Sequence, residues 1–173
     1  VVLQEHRGIL VEFFERGDSL EDIFIATRAS STMPYISKMV NIAGQPYLDG
    51  GCSLKIPHGW ALEQGYKNIV VIKTHHPSYR RNEERGKAIA DLVYGKRWPQ
   101  LAASLSRSNA DYNRLCDELD DLAAEGRVFT IAPSRDMHIG RMEKDLEKLG
   151  AWYWLGYEDG KAHVDELKKY LER

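Results

Sequence analysis

Several things are scarce in this sequence, and each scarcity closes off a class of function. Cysteine is nearly absent, with Cys52 and Cys116 the only thiols in 173 residues. Two widely separated thiols make neither a disulfide framework nor a zinc site, so a reducing compartment, the cytoplasm, is expected. A basic excess is missing as well. The 24 Lys and Arg meet 26 Asp and Glu, which argues against a nucleic-acid partner. No apolar run approaches the roughly 18 residues that a membrane-spanning helix needs, so membrane contact is expected to be peripheral at most. No signal peptide or transit segment is expected from the opening residues, and Val1-Val2-Leu3 stands where Met would be. That start reads like the inside of a strand, so the sequence is expected to come from something longer. Gly-x-Ser-x-Gly and Gly-x-Gly-x-x-Gly are both absent, so the chain has neither a nucleophile elbow nor a glycine-rich anion loop.

What remains is ordinary globular material, 43% apolar and 29% charged, long enough for one domain over residues 1–173. Val1–Gln4 and Ile9–Glu15 read as strands around Glu5-His6-Arg7-Gly8. Ser19, with Asp22 three positions on, approximates a capping box for a helix that Pro34 stops. Met39–Ile42 and Pro46–Leu48 flank Ala43-Gly44-Gln45 as a second hairpin, which runs into Asp49-Gly50-Gly51. A short helix follows Pro57. Asn68–Thr74 is a continuous apolar run of the kind that is buried on both faces in a parallel sheet. Helices are expected over Gly86–Tyr94 and Pro99–Glu125, the second with Leu101, Leu105, Tyr112, Leu115, Leu119 and Leu122 at helical spacing. Arg127–Ala132 is a further strand, and Asp145–Leu171 a second long amphipathic helix.

One stretch carries chemistry: Ala29-Ser30-Ser31-Thr32-Met33-Pro34, followed by Tyr47-Leu48-Asp49-Gly50-Gly51, Ile56-Pro57, Ala61–Gly65 and Ile69–Ile72. In this order, with Arg135–Glu143 and Leu155–Gly160 further on, the chain resembles the C-terminal portion of bacterial patatin-like phospholipases. The resemblance implies a three-layer α/β/α sandwich with a largely parallel sheet, incomplete at its N-terminal side. It also implies a Ser–Asp dyad that hydrolyses carboxylic esters of lipids or similar acyl compounds without metal or cofactor. On this chain Asp49 matches the base, and Gly50 and Gly51 match the turn that lets its carboxylate reach the nucleophile. The serine elbow and the oxyanion loop have no counterpart. This piece alone is therefore expected to be inactive, and to seek its missing N-terminal half or a second copy of itself. The alternative is a non-catalytic α/β domain for binding or assembly, with Asp-Gly-Gly a simple turn.

Other groups read as structural. His75-His76 lack enough neighbouring ligands for a metal and read as a loop. Arg80, Arg81, Arg85 and Lys87 form a basic cluster diluted by Glu83 and Glu84, again a loop. His138, beside Arg141, reads as turn packing. Trp152, Tyr153, Trp154 and Tyr157 read as core against the sheet. Ser104, Ser106 and Ser108 lie within a helix, where no elbow forms.

Overall fold

The computed structural model describes residues 2–5, 9–12, 19–140 and 142–173. In chain order the elements are β1 (Val2–Glu5), β2 (Ile9–Glu12), α1 (Leu20–Ser30), β3 (Val40–Ile42), β4 (Gln45–Asp49), α2 (His58–Glu63), β5 (Val70–Ile72), α3 (Lys87–Tyr94), α4 (Pro99–Ala124), β6 (Phe129–Ile131), α5 (Leu146–Ala162) and α6 (Val164–Leu171). Two compact units result, residues 1–57 with 81–115, and residues 58–80 with 116–173. The part of the first expected hairpin at His6–Gly8 and the strand end beyond Glu12 lie outside the described residues, as does Arg141.

The first unit holds an antiparallel sheet in the order β2-β1-β4-β3. Its second hairpin turns on Ala43-Gly44, between the paired Ile42 and Gln45. Both loop residues have positive φ, 50° and 83°. That is the twist a two-residue hairpin requires, and glycine adopts it without strain. The Asn41 side chain reinforces the loop by accepting from Gly44 N at 2.9 Å. Helix α1 begins as its sequence announces, with Ser19 Oγ accepting from Asp22 N at 3.1 Å. It packs through small residues, the buried Ala26 and Ala29, against Tyr47, Val40 and Ile42. A second cluster joins Leu48 and Cys52 to Tyr94, Leu101 and Ala102.

The second unit is built on one parallel pair, β5 with β6, in register Val70↔Phe129 to Ile72↔Ile131. Tyr170 on α6 clips the pair together: its hydroxyl donates to Arg127 O at 2.9 Å and accepts from Ile69 N at 3.0 Å. Leu119 and Leu122 of α4 are buried, with Ile69 and Val128.

The fold is mixed α/β, as expected, but three differences stand out. Among the described residues three strand pairs are antiparallel and one is parallel, so the sheet is not largely parallel. A two-residue connection such as Ala43-Gly44 can join only antiparallel neighbours. Asn68–Thr74 is not buried on both faces, since Val70 and Ile72 are 37% and 74% exposed. The long helix expected to end at Leu171 is two helices that meet at His163, whose ring nitrogen Nδ1 donates to Asp159 O at 2.7 Å.

Candidate functional site

Asp49 is the last residue of β4 and is tied both to the end of α1 and to its own turn. Its backbone N donates to Thr32 O at 3.1 Å. The two segments that carry the sequence resemblance therefore meet in a hydrogen bond. Thr32 is buried, and its hydroxyl donates to Arg28 O at 2.8 Å, closing the end of α1. Beyond Asp49 the chain makes a single 3-10 turn, Gly50–Cys52. Asp49 Oδ1 accepts from Gly51 N at 2.7 Å. A Cβ on Gly51 would lie 3.0 Å from that same oxygen. Glycine at 51 thus leaves the carboxylate room to fold back over the turn, which is the physical content of the Asp-Gly-Gly sequence.

Two further side chains hold the turn from outside. Lys55 Nζ donates to Gly51 O at 2.7 Å. Ser104, buried on α4, donates its Oγ to Cys52 O at 2.9 Å. Leu54 N and Ser53 N both donate to Gly50 O, at 2.8 and 3.0 Å. Tyr94 completes the support, since its hydroxyl accepts from Tyr35 N at 2.8 Å. Tyr35 follows Pro34 with φ of 70°. Burial pushes its phenol above the usual range, and Tyr94 and Cys52 add to the effect.

The arrangement fixes one carboxylate oxygen and leaves Oδ2 without a hydrogen bond among the described residues. Such a carboxylate can take a proton from a hydroxyl brought within about 2.6–3.2 Å of it. Gly50 is buried at the turn. The supporting residues Ser104, Tyr94 and Lys55 were not legible as such. Their partners are backbone groups, distant in sequence for Ser104 and Tyr94, and no sequence motif records which backbone group a side chain will meet.

The remaining groups fall out differently. Arg80 is no loose loop charge: its guanidinium binds Asp117 at 2.6 Å and Asp120 at 3.2 Å, and the Asp117 hydrogen bond raises its pKa further. Arg81 lies 4.3 Å over the Tyr112 ring. His75 stacks on Tyr79 with ring centres 4.0 Å apart. Cys52 and Cys116 are buried free thiols. The reading of the α5 aromatics as core is corrected. Tyr153, Trp154 and Tyr157 are 67%, 60% and 52% exposed, and they contact one another edge to face. At about 100° per residue they occupy a different side of the helix from the half-buried Leu149, Trp152 and Leu155. Among the described residues no three His, Cys, Asp or Glu side chains gather in a metal-binding group, and no helix is long and apolar enough to cross a membrane.

Residues 98–172, from the start of α4 to the end of α6, match a family described as "Domain of unknown function (DUF6363)". Asp49 lies outside that segment. The chain is also similar to a protein of Escherichia coli (strain K12) named "Uncharacterized protein YjjU", with 27% identity over 151 residues that cover 83% of this chain. The chain spans 41% of the length of that relative.

Proposed function

We propose that this chain is the carboxylate-bearing part of a patatin-like serine ester hydrolase, and that Asp49 is its general base. The observation that supports it most is the built turn. Asp49 N is tied to Thr32 O, Oδ1 is tied to Gly51 N, and the other oxygen is left to accept a proton. In this reading a serine hydroxyl from outside the chain gives its proton to Asp49 Oδ2 as its oxygen attacks the ester carbonyl. The C–O bond then breaks, and the leaving alcohol takes up the proton. Water, deprotonated by the same carboxylate, releases the acid from the acyl-serine and regenerates the hydroxyl. The full domain is the three-layer sandwich, the substrate a lipid or simple carboxylic ester, and the free thiols suit the cytoplasm.

The test uses the longer protein that contains this sequence and a short-chain aryl ester. Asp49→Asn keeps shape and removes the base, so kcat should fall by about 10²–10⁴ with little change in thermal midpoint. Near wild-type turnover in that variant would overturn the assignment. This chain alone should show no stoichiometric labelling by a fluorophosphonate.

A second reading, a non-catalytic assembly domain, draws on the exposed apolar side chains Leu92, Phe24 and Ile72, at 86%, 71% and 74%. The two readings part at the DNA upstream of the Val1 codon. An in-frame Gly-x-Ser-x-Gly supports the hydrolase, and an open reading frame without one supports assembly.

A further inference from the structure

The second unit carries a cleft that plays no part in the reading of Asp49. It opens where β5 and β6 end, and it is lined by the loops that leave both strands and by α5. It is open to solvent. In parallel α/β arrangements ligands bind outside the carboxyl ends of the strands, because the loops there converge while the strand ends stay fixed. Here the convergence brings Thr74 and His76 from one loop to Arg135 from the other, with Met137 and Trp152 as an apolar wall.

Two of its polar groups are poised to donate. Ser78 N donates to His76 Nδ1 at 3.2 Å. A backbone N–H can only donate, so Nδ1 is the acceptor and the neutral ring carries its proton on Nε2. Arg135 makes no ion pair or hydrogen bond among the described residues, so its whole guanidinium fork is available to an anion. Asp136 also lines the cleft and is held by its own loop. It accepts from His138 N at 2.8 Å and faces His138 Nδ1 at 3.1 Å. That backbone hydrogen bond, and then the imidazoles of His138, His75 and His76, hold its carboxyl below the usual range. The walls are themselves anchored. Lys73 and Arg80, at either end of the first loop, pair with Asp120, and Arg80 also with Asp117. Ser134 N of the second loop donates to Asp159 of α5 at 2.9 Å.

We propose that this cleft binds a phosphate monoester, with Arg135, His76 Nε2–H and the Thr74 hydroxyl on the phosphate oxygens and Met137 and Trp152 against the organic part. Three separate donor groups suit the three terminal oxygens of a monoester better than the two of a carboxylate. The monoester can come from a small soluble molecule or from the headgroup of phosphatidic acid.

The test takes the whole chain. Glycerol phosphate and inorganic phosphate are titrated by calorimetry. In parallel, sedimentation is followed with phosphatidylcholine vesicles with and without phosphatidic acid. Arg135→Gln should weaken binding at least about tenfold, the worth of one charge-assisted contact, and Thr74→Val should weaken it less. Arg107→Gln, in the other unit, should leave it unchanged. Saturable binding of glycerol phosphate that Arg135→Gln weakens supports a soluble ligand. Sedimentation that requires phosphatidic acid and is lost in Arg135→Gln, with no response to glycerol phosphate, supports the lipid headgroup. Binding of neither, equal binding in Arg135→Gln, or equally tight binding of acetate overturns the proposal.

Discussion

Two strand ends carry the polar chemistry of this chain, and they are held by different means. After β4, the Asp49 turn is braced by hydrogen bonds to backbone groups and by the buried hydroxyl of Ser104. After β5, the loop with His75 and His76 is braced by ion pairs at the surface, Arg80 with Asp117 and Asp120. The Ser104 hydrogen bond is buried and neutral, so it acts over short range in a low dielectric and is indifferent to salt. Exposed ion pairs are weak and screened. The difference suits the two roles proposed. A general base must be held to a fraction of an ångström, while a loop that receives an anion gains from being able to adjust.

The largest effect that sharpens this comparison is in the core beneath the first site. Leu48 is 2% exposed in the cluster with Tyr94 and Leu101, so Leu48→Ala should cost about 2–5 kcal/mol in urea unfolding. Ile72→Ala, on the open side of β5, should stay within about 0.5 kcal/mol. A large loss at Ile72 would break the contrast, because it would mean that the β5 face is covered in solution, as by a second copy.

Next comes the brace itself. Ser104→Ala removes the donor to Cys52 O and should cost about 1–3 kcal/mol. In the longer protein it should also lower kcat, by less than Asp49→Asn does. A Ser104→Ala enzyme with unchanged kcat would separate the brace from the chemistry.

Arg80→Gln should cost no more than about 1 kcal/mol at low salt, and the loss should fade toward roughly 1 M salt as the Debye length shrinks to about 3 Å. A salt-independent loss would show that the second loop is braced like the first.

The smallest effect is pH dependence. Asp136 and Glu143 titrate below their ordinary values of 3.8 and 4.5, each mainly through backbone hydrogen bonds, from His138 to Asp136 and from Asp145 and Lys144 to Glu143. A lowered folded-state pKa adds stability above the ordinary range, and that stability is lost as pH falls through the lowered values. Thermal midpoints followed from neutral pH into strong acid should therefore drop slightly more in the wild type than in Asp136→Asn/Glu143→Gln. Parallel curves would remove these carboxylates from the account.

Much of this was legible in advance where the signal is local. The Ser19 cap, the hairpin at Ala43-Gly44, the buried stripe Leu101, Leu115, Leu119 and Leu122, and the ends of α3 and α4 all follow from spacing and turn chemistry within a few residues. Asp49 and its glycines were singled out by the family resemblance; that the carboxylate folds over its own turn, which needs a residue without a side chain at 51, is visible only in the structure. Exposure was misread for β5 and for the α5 aromatics. An apolar run reports what a segment would gain from burial, and it does not report whether anything covers it.

The sequence by itself determined most of the elements and the identity of the turn, though not the break at His163, since helix caps, hairpin loops and apolar periodicity depend on φ, ψ and neighbours three or four positions away. Only the tertiary structure decided that Thr32 meets Asp49, that Ser104 holds Cys52, that Tyr170 clips Ile69 to Arg127, and that Thr74, His76 and Arg135 share one cleft. Each of those joins residues from different elements, and most join segments dozens of positions apart. Such contacts are selected by how helices and strands pack, which no local pattern encodes.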